Sequence, residues 1–81
     1  MEERISQPIL LDSIDKVKDF VKQTSKFSGT VYVNSGRYIV DGKSLMGVFS
    51  LDLSKPVSVD YSDDDDELAQ QTISKYFVES L

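Results

Sequence analysis

The sequence predicts an α+β fold in which helices cover one side of an open sheet. Segments with helical spacing alternate with β-branched and aromatic segments in the order β-α-β-β-α-β-α. The chain has 81 residues, of which 40% are hydrophobic and 28% are charged, and this composition suits one domain over residues 1–81. A domain of this size buries only about 60% of its unfolded surface, so one sheet with helices on one face is an economical packing.

The first strand and the first helix are predicted within residues 5–24. Residues 5–11 are apolar enough for a strand, and Pro8 places that strand at an edge of the sheet, where a missing N–H is tolerated. Asp12 and Ser13 are both N-cap residues, so the helix is expected to begin after them. Its apolar face has three- and four-residue spacing and is formed by Ile14, Val17, Phe20, Val21 and Thr24.

A hairpin and a short helix follow the helix break at Ser28-Gly29. The β-branched and aromatic runs 30–33 and 37–40 flank turn residues 34–36, which predicts two antiparallel strands. The apolar positions of residues 44–53 are too irregular for a strand, so we expect a short helix that begins at Ser44. The Ser44 hydroxyl would accept a hydrogen bond from the backbone N–H of the second or third residue after it.

The last strand and the last helix lie after Pro56. Val57, Val59 and Tyr61 alternate with polar residues, as in a half-buried strand. Residues 63–67 are consecutive acids without the glycine turn of a calcium loop, and they suit the positive end of a helix dipole. The inner face of that helix is formed by Leu68, Ala69, Thr72, Ile73, Tyr76 and Phe77.

Composition argues against several classes of function. The chain contains no Cys and no His, so it lacks a thiolate nucleophile, the usual general base and the acceptor of phosphohistidine chemistry. Its net charge of −5 argues against direct binding to nucleic acid. It has no apolar run of membrane-spanning length, and Met1–Arg4 lacks the apolar core of a signal peptide. We therefore expect a cytoplasmic protein that is not an enzyme and holds no metal or cofactor.

Two serines are candidate functional residues. Ser13 would be a nucleophile only beside a base, and with no His and with Lys16 next to acids, an N-cap role is favoured. A phosphate on Ser44 would meet unpaired backbone N–H groups at a helix start. The apolar residues that follow are either ordinary core or an exposed docking surface, and both interpretations stay open: Leu45, Met46 and Phe49.

One segment resembles a known family. Residues 43–51, Lys-Ser-Leu-Met-Gly-Val-Phe-Ser-Leu, are very similar to the regulatory-serine segment of HPr, the phosphocarrier protein of the bacterial sugar phosphotransferase system. Ser25-Lys26-Phe27 resembles the family's Ser-Lys-Tyr at the end of the first helix, at the family's spacing from Ser44. The resemblance implies an open-faced β-sandwich with strand order 1-4-2-3, in which the first strand is an edge.

The start of the first helix departs from the family's pattern. HPr proteins have Gly-x-His-Ala-Arg-Pro there, whereas residues 11–16 read Leu-Asp-Ser-Ile-Asp-Lys. Ser13 stands at the His position and Asp15 at the Arg position. A serine phosphate ester is stable where a phosphoramidate is high in energy, and an Asp repels an incoming phosphoryl group. Later family glycines are also changed, to Asp52 and Pro56, so we assign no catalytic residue.

The resemblance implies regulation rather than phosphoryl transfer. Ser44 matches the serine that HPr kinase phosphorylates in Gram-positive relatives, and its neighbours would bind partners: Lys43, Leu45, Met46 and Phe49. The catabolite-repression HPr homologue also lacks the active histidine, keeps the serine, and acts as corepressor for the transcription factor of carbon catabolite control. We expect a similar regulatory domain with HPr kinase and such a transcription factor as partners.

Two alternatives to this regulatory domain stay open. One is a phosphotransferase-system component that relays phosphate through Ser13 or an Asp. The other is a degenerate HPr-fold module whose partner is unrelated to sugar transport.

Overall fold

Strands and helices occur in the predicted order in a computed structural model that describes residues 3–81. The expectation that no signal peptide begins at Met1 falls partly on the first two residues, which lie outside the described residues. The described elements are β1 (Arg4–Ile9), α1 (Ile14–Thr24), β2 (Val31–Ser35), β3 (Tyr38–Asp41), α2 (Leu45–Phe49), β4 (Val57–Ser62) and α3 (Asp66–Thr72). Two 3₁₀ turns, Asp63–Asp65 and Ser74–Tyr76, flank α3.

The strands form one antiparallel sheet in the order β1-β4-β2-β3. β4 lies between β1 and β2, and Pro8 of the edge strand β1 is opposite Ser58 of β4. The predicted α+β class, the strand order 1-4-2-3 and the edge position of β1 are therefore confirmed.

The core lies between one face of the sheet and the helices. Val57, Val59 and Tyr61 of β4 are buried, as their alternation predicted. α1 buries Val17 and Phe20 against this face. Among residues 3–81, the buried cluster consists of Ile9, Leu11, Val17, Phe20, Phe27, Val31, Val33, Val48, Val57, Val59, Tyr61, Ala69, Ile73 and Tyr76.

The hairpin turn is tighter than the sequence predicted. Ser35 pairs with Tyr38, which leaves only Gly36 and Arg37 in the loop. Gly36 has φ +58°, while no other residue within 3–81 has a positive φ. A positive φ at the first position alone is the mark of a type II′ turn, whose twist matches that of the strands. One glycine is therefore enough to reverse the chain, and Ser35 stays in β2.

The last helix is shorter than its apolar spacing predicted. α3 ends at Thr72, whose hydroxyl donates to the Leu68 carbonyl (2.7 Å), and the chain continues as a 3₁₀ turn. Beyond that turn, Phe77 forms a bridge with Ile9 of β1, and the Val78 N–H donates to the Pro8 carbonyl (2.9 Å). Pairing with the edge of β1 thus replaces the last turn of the expected helix.

Asp19 links α1 to the C-terminal segment. Its carboxylate accepts hydrogen bonds from the Tyr76 hydroxyl (2.5 Å) and the Gln23 amide (3.1 Å), and it forms an ion pair with Lys75 (2.9 Å). The hydrogen bond from Tyr76, followed by those from Lys75 and Gln23, lowers the pKa of Asp19 to about 2. The charged form of Asp19 is therefore the one that stabilises the fold.

We expect acid to weaken this link. A carboxyl group with a lowered pKa contributes stability above its ordinary value of 3.8, and the contribution is lost as the pH falls toward 2. Because the Asp19 side chain keeps 30% of its exposure, solvent screening limits the contribution to about 1 kcal/mol. Urea unfolding of the wild type and Asp19→Asn across this pH range should show a difference in unfolding free energy that shrinks with falling pH. A constant difference would contradict the role of the charge.

Candidate functional site

Ser44 is the N-cap of α2. Its hydroxyl accepts a hydrogen bond from the Gly47 N–H (3.1 Å), one of the two donors that the sequence predicted. Its own N–H donates to the Asp41 carbonyl (3.1 Å). A Cβ atom on Gly47 would lie 3.3 Å from the Ser44 hydroxyl oxygen, so the glycine keeps the space over this oxygen open. The hydroxyl is held in place, yet its residue is only half-buried.

Three apolar side chains on α2 are exposed to solvent. Met46 is 79% exposed, Leu45 37% and Phe49 38%, whereas Val48 is buried in the core. A helix of five residues has one inward-facing side, and Val48 occupies it. Met46 is thus a surface residue, whereas Leu45 and Phe49 are covered over more than half of their surface, and the docking surface stays a prediction. We call Leu45, Met46 and Phe49 the α2 patch.

Lys43 has an internal contact next to the α2 patch. Its ammonium group donates to the Phe27 carbonyl oxygen (2.7 Å), which ties the start of α2 to the segment after α1. Binding of a partner through this ammonium would compete with that hydrogen bond. Sequence reasoning missed the contact because the two residues lie 16 positions apart.

The start of α1 holds the second serine. Ser13 is the N-cap, and its hydroxyl oxygen accepts a hydrogen bond from the Lys16 backbone N–H (3.2 Å). The Lys16 ammonium contacts the Asp12 carboxylate (2.7 Å), and this hydrogen bond lowers the pKa of Asp12. Asp15 is exposed in the first turn of the helix. Within residues 3–81, no side-chain base contacts the Ser13 hydroxyl, which has the N-cap role that the sequence favoured.

A shallow groove of about 300 Å³ joins the start of α1 to the end of α2. It is lined by Leu11, Asp12, Ser13, Ile14, Val17, Phe49, Leu53 and Ser54. The structure therefore brings Ser13 and Phe49 together. Ser44 does not line the groove, and it lies at the other end of α2, about 7–8 Å along a helix of this length.

Ile14 at this groove corrects a sequence prediction. We expected it on the inner face of α1, but it is 62% exposed. The buried stripe of α1 begins one turn later, at Val17, because a helix residue directly after the N-cap lies at the end of the packed layer. Of the groove residues, only Ser13 and Phe49 were candidates from the sequence, and the exposed Ile14 is among those that sequence reasoning missed. The signal that could have identified Ile14 as exposed was its position immediately after the two candidate N-caps, Asp12 and Ser13.

Comparison with known families decides the relationship. Residues 16–79 match the family model described as the PTS HPr component phosphorylation site. The chain belongs to the HPr family. HPr proteins are phosphocarriers that act with other proteins of the phosphotransferase system, rather than catalysts. The matched range begins after Ser13 and Asp15.

Solved HPr structures share the architecture of this chain. The phosphocarrier protein HPr from Bacillus anthracis str. Ames has a TM-score of 0.73 at 17% identity, over 93% of this chain and 98% of that one. HPr-C-His from Thermoanaerobacter tengcongensis has a TM-score of 0.72 at 26% identity, over 91% of this chain and 90% of that one. No curated protein matches the chain. In the part that the structure describes, no helix is long and apolar enough to cross a bilayer.

The acidic run of this HPr family member serves its fold. The Asp65 carboxylate is buried and accepts hydrogen bonds from the Ser28 N–H, the Ser28 hydroxyl and the Gly29 N–H, each at 2.9 Å. Burial opposes the charged form, but the Gly29 and Ser28 donors outweigh it and lower the pKa of Asp65. The next residue, Asp66, accepts a hydrogen bond from the Tyr61 hydroxyl (2.8 Å). Two of these acids thus tie the start of α3 to a distant loop and to β4.

Proposed function

We propose that this HPr family member is a regulatory, protein-binding domain that does not carry phosphate on histidine, and that phosphorylation of Ser44 controls its partner binding. The observation that carries the proposal is the exposed α2 patch, which begins at the residue directly after Ser44. Neighbouring exposed apolar side chains are typical of protein-binding surfaces. The chain has no His to accept phosphate in the usual way.

A phosphate on Ser44 would change the charge beside the α2 patch and would leave the patch exposed. It adds about −1.5 to −2 charges at pH 7. Lys43 is adjacent and favours it, while the Asp41 carboxylate, which accepts from the Lys43 N–H (2.8 Å), opposes it. The net charge of −5 acts mainly at long range, where salt screens interactions beyond about 8–10 Å. A partner would then recognise the phosphate with Arg or Lys and the α2 patch with an apolar pocket.

The proposed partners are proteins of the cytoplasm. HPr kinase would modify Ser44, and a transcription factor of carbon catabolite control would bind the modified surface. The support is the similarity of residues 43–51 to the family's regulatory segment, together with the exposures of the α2 patch.

Incubation with HPr kinase and ATP tests the modification. We expect intact mass spectrometry to show the addition of one phosphoryl group, because Ser44 is only half-buried and its hydroxyl at the start of α2 remains partly accessible to the kinase. Ser44→Ala should remain unmodified. Ser50→Ala, which changes an exposed serine at the other end of α2, should be modified as the wild type is. Modification that survives in Ser44→Ala, or none in the wild type, would refute the proposed site.

Phe49→Ala separates docking from folding. Phe49 is 38% exposed, so its truncation should cost about 1–2 kcal/mol of stability and leave the domain folded, and it should weaken binding of the phosphorylated protein to its transcription factor by about 1–2 kcal/mol. Calorimetry would measure the affinity, and urea unfolding the stability. Val48→Ala is the matched control: Val48 is fully buried, and its truncation should cost about 2 kcal/mol of stability. Unfolding of Phe49→Ala would instead assign Phe49 to the core.

The two alternative functions differ from the regulatory proposal in what they require: a relay requires a base, and a degenerate module requires binding that does not depend on Ser44. A relay through Ser13 would need a base, and the lysine nearest to it in sequence is already paired with Asp12. A degenerate module with an unrelated partner would bind that partner equally well as Ser44→Asp and as Ser44→Ala. The regulatory proposal requires these two variants to differ.

A further inference from the structure

The two edges of the sheet differ in how they are covered. At the β1 edge, Pro8 removes a backbone donor, and the segment Phe77–Val78 pairs with the strand. At the opposite edge, β3 has a neighbouring strand only on its β2 side within residues 3–81. Proteins commonly protect such an edge with Pro, inward-pointing charge or a bulge. The β3 segment, Tyr-Ile-Val-Asp, contains no proline and no lysine, so its protection is limited to its length of four residues and the charge of Asp41.

Ile39 directs its backbone groups toward this open edge. The Gly42 N–H donates to the Val31 carbonyl (2.7 Å), so Val31 and Gly42 are a hydrogen-bonded pair of the antiparallel β2–β3 ladder. Hydrogen-bonded and non-hydrogen-bonded pairs alternate along an antiparallel ladder. Val40 therefore also bonds to β2, whereas the N–H and C=O of Ile39 and Asp41 point away from β2. The Asp41 carbonyl already accepts from Ser44 (3.1 Å). Among the described residues, none is a hydrogen-bond partner for the outward groups of Ile39.

Apolar side chains lie along the same edge. Tyr38 is 67% exposed and Ile39 is 66% exposed. Arg37 and Asp41 flank them with opposite charges, and Arg37 forms no ion pair within residues 3–81. The sequence Arg-Tyr-Ile-Val-Asp is therefore an apolar centre with a positive end and a negative end.

We propose that a second copy of this chain pairs antiparallel with the β3 edge, about a two-fold axis at Ile39. In that register the Ile39 residues of both copies exchange their N–H and C=O groups, and Tyr38 lies opposite Val40 of the second copy. The Asp41 carbonyl stays bonded to Ser44, so Arg37 meets Asp41 of the second copy through their charged side chains, and the symmetry repeats this side-chain pair. Shifting the register by two residues separates these opposite charges, so the charge pattern favours one register.

This pairing joins two four-stranded sheets into one continuous sheet. The contact is short, and each copy carries a net charge of −5, so the association is weak and needs high protein concentration. Salt at about 0.15 M limits the long-range repulsion to about 8 Å but leaves adjacent charge pairs in place. The proposal concerns β3 and is independent of Ser44 phosphorylation.

Concentration-dependent amide NMR and sedimentation at about 0.15 M salt test the proposal. As the protein is raised to the millimolar range, we expect shift changes at residues 37–41 and a monomer–dimer equilibrium. Charge reversal by Arg37→Glu or by Asp41→Lys should each weaken self-association about tenfold, because like charges then face each other twice. An equal mixture of these two variants should recover the association, because each heterodimer pairs opposite charges again.

The matched control is Lys22→Glu, which makes the same charge change at an exposed position on α1. It should leave self-association within about twofold of the wild type, since a distant exposed charge contributes little. Ile39→Pro removes the outward N–H without removing a bond to β2, and it should abolish the dimer. A wild type that stays monomeric at millimolar concentration, a mixture no tighter than its components, or shift changes confined to the α2 patch would each overturn the proposal.

Discussion

No phosphoryl group is expected to pass to this chain from phosphoenolpyruvate and enzyme I. The family resemblance implies that Ser13 takes the position of the phosphate-accepting histidine, although the matched range begins only at residue 16. The Ser13 hydroxyl oxygen accepts a hydrogen bond from the Lys16 N–H (3.2 Å). Without an adjacent base the hydroxyl is a poor nucleophile. Asp15 is exposed in the same helical turn, and the family resemblance implies that its negative charge replaces a positive one.

The assay must use protein without a histidine tag, so that no foreign acceptor is present. Phosphate incorporation would be followed by mass spectrometry and by acid stability, with an authentic HPr as positive control. The double variant Ser13→His/Asp15→Arg supplies both missing groups on the same scaffold. A gain of acid-labile phosphate in this variant alone would identify these two positions as the cause of the loss. Any transfer to the wild type would revive the relay function.

Asp65→Ala is expected to cost about 2–4 kcal/mol of unfolding free energy, because buried donors to a charged acceptor lose their partner. The Ser28 N–H, the Ser28 hydroxyl and the Gly29 N–H all donate to this carboxylate at 2.9 Å. The contact joins the loop before β2 to the start of α3, 37 residues away, so the variant should loosen both. Urea unfolding near neutral pH would measure the loss.

Asp64→Ala is the control for this variant. It removes the same charge from the same acidic run, but Asp64 is exposed, so the cost should stay within about 0.5 kcal/mol. Equal costs for the two variants would show that the charge of the run, rather than the buried contact of Asp65, governs stability. Asp65→Asn should have an intermediate effect, because an amide retains one acceptor oxygen.

The sequence was sufficient for features that depend on local patterns. The order of elements followed from periodicity, and both N-caps, Ser13 and Ser44, followed from residue type and position. The strand order came from the family resemblance rather than from periodicity, since β1 and β4 pair across more than half of the chain.

The rest depends on neighbours that sequence spacing does not reveal. The ammonium of Lys43 binds a carbonyl 16 residues away, and Asp65 binds a loop 37 residues away. Ile14 follows the helical apolar pattern but lies beyond the packed layer, so periodicity predicted a buried residue where the structure exposes one. Local patterns fix which way a side chain faces on its own element, but tertiary packing decides what lies opposite.

The central position of β4 sets an order of events during synthesis. β1, α1, the β2–β3 hairpin and α2 all leave the ribosome before β4. β1 and β2 are joined only through β4, which pairs with both of them. The hairpin can form alone within about 1–10 μs, whereas the union of β1 with the rest waits for a strand that starts at Val57. The nascent chain therefore carries β1 without a neighbouring strand until β4 emerges, and the segment Phe77–Val78, which covers the outer edge of β1, follows later still.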